Sequence, residues 1–237
     1  TRTWQAHWPV IMENVISACI AHNTRLVFFD NIYMYDPESL DPIREDHPIN
    51  PSSKKGRVRE SIARTFMDHV NKGSIQGLIA RCADFYGPSI ANNSILTETV
   101  FKPLSHGKKA TWLGNPDKKH SFTFTPDAAR ATALLGNSPE AWGEVWHLPT
   151  APNPYTGNEW ITHVAEALDA EPRYRAVGRP LVRFLGLFSP IMRETSEMLY
   201  QYDRDYVFDS SKFEGHFDLK PTPYREGIRQ VVEADYR

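Results

Sequence analysis

Apolar positions along this chain alternate between two periods, and the alternation sets out its elements. From Trp8 to Ala21 they fall at Trp8, Ile11, Met12, Val15, Ile16, Cys19 and Ile20, the spacing of one helix face. Arg25–Phe29 follows, and its run Leu26-Val27-Phe28-Phe29 is continuous, as in a parallel strand buried on both faces. Asp30-Asn31 ends that run. Between Tyr35 and Ser53 stand Pro37, Pro42, Pro48 and Pro51, so this stretch is a long loop. Helical spacing returns over Lys54–Lys72, with Val58, Ile62, Phe66 and Val70 on one face and Gly73 as its stop. Ile75–Ala80 is a second apolar, strand-like run, closed by Arg81 and the turn-forming Gly87-Pro88.

Further on the pattern predicts helices over Ile95–Leu104, Pro126–Leu135 (capped by Thr125) and Asn158–Leu168. Short strands are expected at Ala110–Leu113, Ser121–Phe124, Val145–Leu148 and near Tyr174–Ala176. Residues 180–206 read as helical and rich in large apolar groups, and Tyr224–Tyr236 as a surface helix. Strands alternating with helices imply right-handed crossovers and a parallel α/β sheet. Ligands of such sheets sit beyond the carboxyl ends of the strands, which directs attention to Asp30, Asn31, Asp84 and Tyr86.

Composition narrows the class without choosing within it. Hydrophobic residues are 41% and charged residues 24%, and the formal net charge is -2, so no global field calls for nucleic acid or an anionic membrane. No stretch approaches the roughly 18 uninterrupted apolar residues of a membrane span; Leu181–Met192 is broken by Arg183, Gly186 and Pro190. The two cysteines, Cys19 and Cys82, sit in apolar segments and read as reduced core thiols of a cytoplasmic protein. None of the nine histidines stands at metal-ligand spacing, so no metal is expected. The chain opens on Thr1 and almost at once on a helical pattern, as a fragment of a longer protein would.

Four landmarks carry a family resemblance. Val27-Phe28-Phe29-Asp30-Asn31-Ile32-Tyr33-Met34-Tyr35-Asp36 lies where that family has a strand, a Ser-Ser pair and a Val-Tyr-Gly. Arg44-Glu45-Asp46-His47-Pro48 is like its Thr-Glu-Asp-x-Pro loop. Arg81-Cys82-Ala83-Asp84-Phe85-Tyr86-Gly87-Pro88 is similar to its Arg-x-x-Asn-x-Tyr-Gly-Pro turn, and Phe122-Thr123-Phe124-Thr125-Pro126-Asp127-Ala128-Ala129 to its Phe-x-x-Val-x-Asp-Val-Ala. Asp209-Ser210-Ser211-Lys212, followed by Leu219-Lys220-Pro221-Thr222, is a weaker fifth. In this order the chain resembles the extended short-chain dehydrogenase/reductase family, in its NAD-dependent epimerase/dehydratase branch, lacking the N-terminal glycine-rich part that holds the pyrophosphate.

The resemblance implies a partial doubly wound, Rossmann-like parallel sheet with a smaller C-terminal substrate or lid region. Residues 1–150 would form the later part of the NAD(P)-binding domain, with a substrate-side insertion over about 89–120, and residues 151–237 the substrate-binding or lid region. It further implies NAD or NADP as cofactor and a small-molecule substrate, and leaves a homodimer open. The family uses a Ser or Thr, a Tyr, and a Lys four residues after that Tyr. Asn31 falls at the first place, Lys55 at the second and Arg59 at the third, so all three depart from the pattern. Lys55 and Arg59 share a helix face, and a like charge beside Lys55 disfavours its ammonium form, fitting it for acid–base work. Against this, Lys54, Lys55, Arg57 and Arg59 together read equally well as a solvated basic helix start, and Asn31 as turn chemistry.

Tyr33 is the nearest phenol that could replace the missing one. On the same basis Asp30, Lys55, Arg59 and Arg81 are expected near the cofactor, and Asp84, Tyr86 and His120 near the substrate. His120 takes the place of an Arg that binds the nucleotide phosphate, which argues against a nucleotide-sugar substrate. Two functions follow: an NAD(P)-dependent oxidoreductase or epimerase with atypical catalytic residues acting on a small hydroxyl- or carbonyl-bearing metabolite, or an inactive NAD(P)-binding sensor.

Overall fold

The computed structural model describes residues 2–180, 182 and 196–237. Helix α1 (Arg2–Ala21) precedes strand β1 (Leu26–Asp30), the long loop, helix α2 (Lys54–Asn71) and strand β2 (Gly77–Arg81). Then come β3 (Asp84–Tyr86), a π-helical turn (Thr97–Phe101) running into α3 (Lys102–Ser105), β4 (Ala110–Leu113), β5 (Phe122–Phe124) and α4 (Thr125–Asn137). Strand β6 (Val145–His147), α5 (Gly157–Ala167), β7 (Tyr174–Val177), α6 (Ser211–Phe217) and α7 (Tyr224–Asp235) complete the order.

Among the described residues every ladder between these strands is parallel. Strands β1, β2 and β6 form the main sheet in the order β1-β2-β6, and β3-β5 and β4-β7 are separate two-stranded ladders. Because strand side chains alternate, the main sheet buries both faces. Phe28 and Ile79 pack against Met12 and Ile16 of α1 and Ile62 and Phe66 of α2. Leu78, Ala80 and Trp146 face the other way, against Ala128, Ala131 and Leu135 of α4 and Phe213 of α6. Helices on both faces of a parallel sheet make this the expected Rossmann-like arrangement. A third, aromatic core gathers Tyr86, Phe122, Trp112, Trp160 and Tyr224 beside the small ladders.

Several expectations are corrected. Strand β1 is parallel but edges the described sheet, and Phe29 is exposed rather than buried. In α1 only Met12, Ile16 and Cys19 of the predicted stripe are buried, while Ile11, Val15 and Ile20 are exposed. Thr125 begins α4 instead of capping it, and no side chain caps that helix. The C-terminal α7 is no plain surface helix: Tyr224, Ile228, Val231 and Val232 are buried in the aromatic core. The helical expectation over 180–206 falls mostly on residues 181 and 183–195, outside the described residues; Leu199–Gln201 is a 3-10 turn. Both cysteines are free and buried. Among the described residues no helix is long and apolar enough to cross a membrane.

Candidate functional site

In-register pairing of β1 and β2 sets Asp30 opposite Arg81, so both strands end at one level. Just past that level the chain opens a cleft of about 430 Å³, lined by Asn31, Tyr33, Lys55, Asp84 and Phe85 together with Ile95, Leu113, Met198, Leu199 and Tyr202. Asn31 turns the chain out of β1: its Oδ1 accepts the Tyr33 N–H at 3.0 Å, leaving its amide NH2 as the end it can offer a ligand. Lys55 reaches the same cleft because Ser53 starts α2 there, its hydroxyl accepting the Gly56 N–H at 2.9 Å. A Cβ on Gly56 would lie 2.2 Å from the Tyr33 carbonyl oxygen, so only glycine lets the first helical turn sit against the Asn31–Tyr33 turn. The Lys55 ammonium also lies over the Trp4 ring, 5.5 Å from its centroid.

Tyr33 keeps its proton. Burial first, then the Asp84 carboxylate and Tyr200, push its phenol up against a smaller opposing pull from Arg59. Its hydroxyl is therefore a protonated group on the cleft wall.

Asp84 opens β3, and β3 pairs with β5 so that Asp84 stands opposite Phe122. That register brings His120, two residues earlier, against the carboxylate. Asp84 Oδ2 lies 3.0 Å from His120 Nε2 and accepts the Tyr202 hydroxyl at 2.8 Å, while His120 Nδ1 lies 3.2 Å from the Gln201 carbonyl oxygen. His120 is stacked between Tyr202 and Tyr206, ring centroids 4.2 and 4.5 Å away. Tyr202, Tyr206 and Gln201 fall in the C-terminal region expected at the substrate, but nothing local singles them out, since they approach His120 from more than eighty positions away.

Three residues expected beside the cofactor lie beneath the cleft instead. Asp30 and Arg81 are buried, and Arg59 is buried on the inner side of α2. Asp30 accepts Arg59 Nε at 2.7 Å and a second, short contact from the same guanidinium, and pairs with Arg81 Nε at 3.4 Å. Arg81 continues the chain to the Tyr35 hydroxyl at 2.8 Å, and Tyr35 to His147 Nε2 at 2.7 Å. His147 Nδ1 meets the Asp209 carbonyl at 2.9 Å, and its backbone N–H donates to Glu45 Oε1 at 3.0 Å. Burial drives the His147 imidazole down to about 3, so it is neutral in the fold, and burial raises the Glu45 carboxyl. Arg59 is thus paired with Asp30, which it shares with Arg81, on the side of α2 away from solvent.

Two residues expected at the substrate are also set back. Tyr86 is fully buried between Phe124, Trp160 and Tyr224, with Gly227 of α7 against its ring, so it belongs to the aromatic core. His120 does not line the cleft and reaches it through Asp84. Asp127 holds a junction: it accepts the Thr222 N–H at 2.6 Å and hydroxyl at 2.9 Å and pairs with Arg130, tying α4 to the segment before α7. Among the described residues no group of His, Cys, Asp or Glu is arranged to hold a metal ion.

The model of the NAD dependent epimerase/dehydratase family matches residues 3–148, more than half of the chain. The chain belongs to that family. Solved structures with the same fold include UDP-glucose 4-epimerase from Thermus thermophilus in complex with NAD, at 19% identity and a TM-score of 0.74 over 94% of this chain and 68% of that one. The dTDP-glucose 4,6-dehydratase of Bacillus anthracis, also with NAD, is 16% identical with a TM-score of 0.71, over 94% of this chain and 65% of that one. The UDP-N-acetylglucosamine 4-epimerase of Methanobrevibacter ruminantium gives 14% and 0.75, over 94% and 66%. This member of the family therefore spans about two thirds of the length of these neighbours. Among curated proteins none matches it.

Proposed function

We propose that the cleft is the reacting end of an NAD(P)-dependent epimerase/dehydratase or reductase that acts on a small hydroxyl- or carbonyl-bearing metabolite. One observation carries the reading: Asn31, Tyr33, Lys55 and Asp84 line a single cleft at the carboxyl ends of two adjacent parallel strands, where such sheets bind ligands. On this reading residues 1–150 supply the cofactor side and 151–237 the substrate side.

The residues present fit the nicotinamide end of the cofactor. The amide NH2 of Asn31 and the ammonium of Lys55 converge on the cleft and match a carboxamide and ribose hydroxyls, whereas the 237 residues contain no Gly-x-x-Gly-x-x-Gly turn for a pyrophosphate. When bound, the nicotinamide supplies hydride exchange with a substrate carbon. Lys55 holds the ribose and serves as proton carrier, Asn31 orients the reacting carbonyl or hydroxyl, and Tyr33 donates a hydrogen bond. Phe85, Ile95, Leu113 and Leu199 give the cleft an apolar lining that keeps water from the reacting atoms and suits an uncharged substrate body.

The test is hydride exchange between NADH or NADPH and a panel of small carbonyl compounds, on the protein that carries this chain. Lys55→Ala is expected to lower turnover by about a hundredfold or more while leaving the unfolding transition in place. Turnover untouched by that change removes Lys55 from the mechanism. A second reading draws on a specific observation: Arg59, at the family's Lys place, is consumed by Asp30, which suits a binding module without chemistry. That reading requires dinucleotide binding with no hydride exchange on any member of the panel.

A further inference from the structure

The geometry points to a proton-holding dyad on the cleft wall, in which Asp84 hands a proton to the substrate oxygen and His120 is its positioning residue. This rests on the reading of the cleft as the reaction site, and adds to it a second proton carrier that helix spacing and motif do not supply.

A backbone carbonyl oxygen only accepts, so His120 Nδ1, 3.2 Å from the Gln201 oxygen, must carry a hydrogen to make a favourable contact. With the hydrogen there, a neutral imidazole would turn the bare lone pair of Nε2 toward a carboxylate oxygen 3.0 Å away. Two facing lone pairs at that distance, in a side chain that is 1% exposed, are strongly unfavourable. One further proton therefore lies between Nε2 and Asp84 Oδ2. Oδ2 also accepts the Tyr202 hydroxyl at 2.8 Å, and an oxygen taking two hydrogen bonds is best served as an anion. The resting pair is imidazolium and carboxylate. Its imidazolium lies between the faces of Tyr202 and Tyr206, inclined to them by 13° and 27°, a setting that favours a cation.

Among the described residues this proton has one exit. His120 is sealed, whereas Asp84 is part of the cleft lining. The other described titratable groups facing the pair are the phenols of Tyr33, Tyr200, Tyr202 and Tyr206 and the ammonium of Lys55 across the cleft. Burial holds all four phenols in the protonated form, so none competes as a base. Where a substrate carbonyl carbon would take a hydride from the C–H bond of a donor of the reduced nicotinamide class, the C=O π pair would move onto oxygen. That oxygen forms an O–H bond with the proton passed from His120 Nε2 through Asp84, leaving neutral His120 and the carboxylate. Oxidation of the alcohol runs the same transfer backward.

The test is nuclear magnetic resonance of the full chain at neutral pH, labelled with 15N-histidine and 13C-aspartate, with His120 and Asp84 assigned by Asp84→Asn and His120→Gln. Both His120 nitrogens are expected in the protonated range, and Asp84→Asn is expected to shift Nε2 alone into the bare-nitrogen range. A bare Nε2 beside a carboxylic-acid Asp84 carbon supports the same dyad with its proton resting on Asp84. A bare Nε2 beside an ionised Asp84 overturns it. In turnover Asp84→Asn is expected to lose about a hundredfold. Activity kept within about twofold of the parent in Asp84→Asn, while Lys55→Ala is inactive, removes the dyad from the chemistry; equal indifference to both substitutions overturns the cleft reading itself.

Discussion

Asp30 and Asp84 stand at the ends of neighbouring strand segments, Asp30 held by two guanidiniums with Tyr35 beyond Arg81, and Asp84 by an imidazole and the Tyr202 hydroxyl. Their exposures separate them: the Asp30 side chain is 0% exposed and that of Asp84 is 19% exposed on the cleft. Their partners separate them further. Asp30 faces two guanidiniums, which never release a proton in a protein, so its network can only carry load through charge and shape. Asp84 faces an imidazole, a side chain able to exchange its proton, and a phenol that burial keeps protonated. A buried carboxylate becomes structural or chemical according to whether its neighbours can titrate.

The sharpest way to break this comparison is to make the same change at both places. Asp30→Asn strands Arg59 and Arg81 in the interior without an anion and is expected to cost about 3–5 kcal/mol in urea unfolding. A loss below about 1 kcal/mol would show that the lower network does not hold the strand ends together. Acid comes next. His147 is neutral in the fold, driven from 6.5 down to about 3, so the unfolded chain binds the extra proton. Stability from this residue is therefore complete above pH 6.5 and falls by about 1.4 kcal/mol per pH unit as the pH drops from 6.5 toward 3. Glu45, raised by burial, works in the opposite sense just above 4.5 and offsets part of the slope there. Unfolding midpoints across that window should slope for the parent and flatten in His147→Gln.

Smaller still is Tyr35→Phe, which removes the hydroxyl joining Arg81 to His147 and deprives Arg81 Nη1 and His147 Nε2 of that buried partner, at about 1–3 kcal/mol. The smallest effect on stability belongs to Asp84→Asn, within about 1 kcal/mol, because an amide NH2 in the place of Oδ2 can donate both to the Nε2 of a neutral His120 and to the Tyr202 hydroxyl oxygen. Near-equal costs for Asp30→Asn and Asp84→Asn would dissolve the distinction between a sealed carboxylate and a working one.

Much of the frame was legible from local pattern. The apolar runs at Leu26–Phe29 and Ile75–Ala80 and the helix over Lys54–Lys72 follow from periodicity, because a strand or a helix is specified by neighbours a few residues away. The meeting of Asn31, Lys55 and Asp84 also followed from topology, since a parallel crossover brings strand ends and the next helix start to one edge. Burial was harder to read. The apolar stripe of α1 is wider than the face that is covered, and Phe29 is exposed, because a sequence shows what can be buried and not what arrives to bury it.

The sequence by itself determined the parallel α/β frame, the strand ends at Asp30 and Arg81, and the departure of Asn31, Lys55 and Arg59 from the Ser, Tyr and Lys of the family pattern. Only the tertiary structure decided what those residues face. It turned Arg59 inward to Asp30, set Tyr86 in the aromatic core, and brought Gln201, Tyr202 and Tyr206 around His120 and Asp84. The physical reason is range: helix and strand preferences act over a few residues, whereas the pairing of buried charges and hydrogen-bonding groups is settled by whichever distant segments share the space once the core has closed.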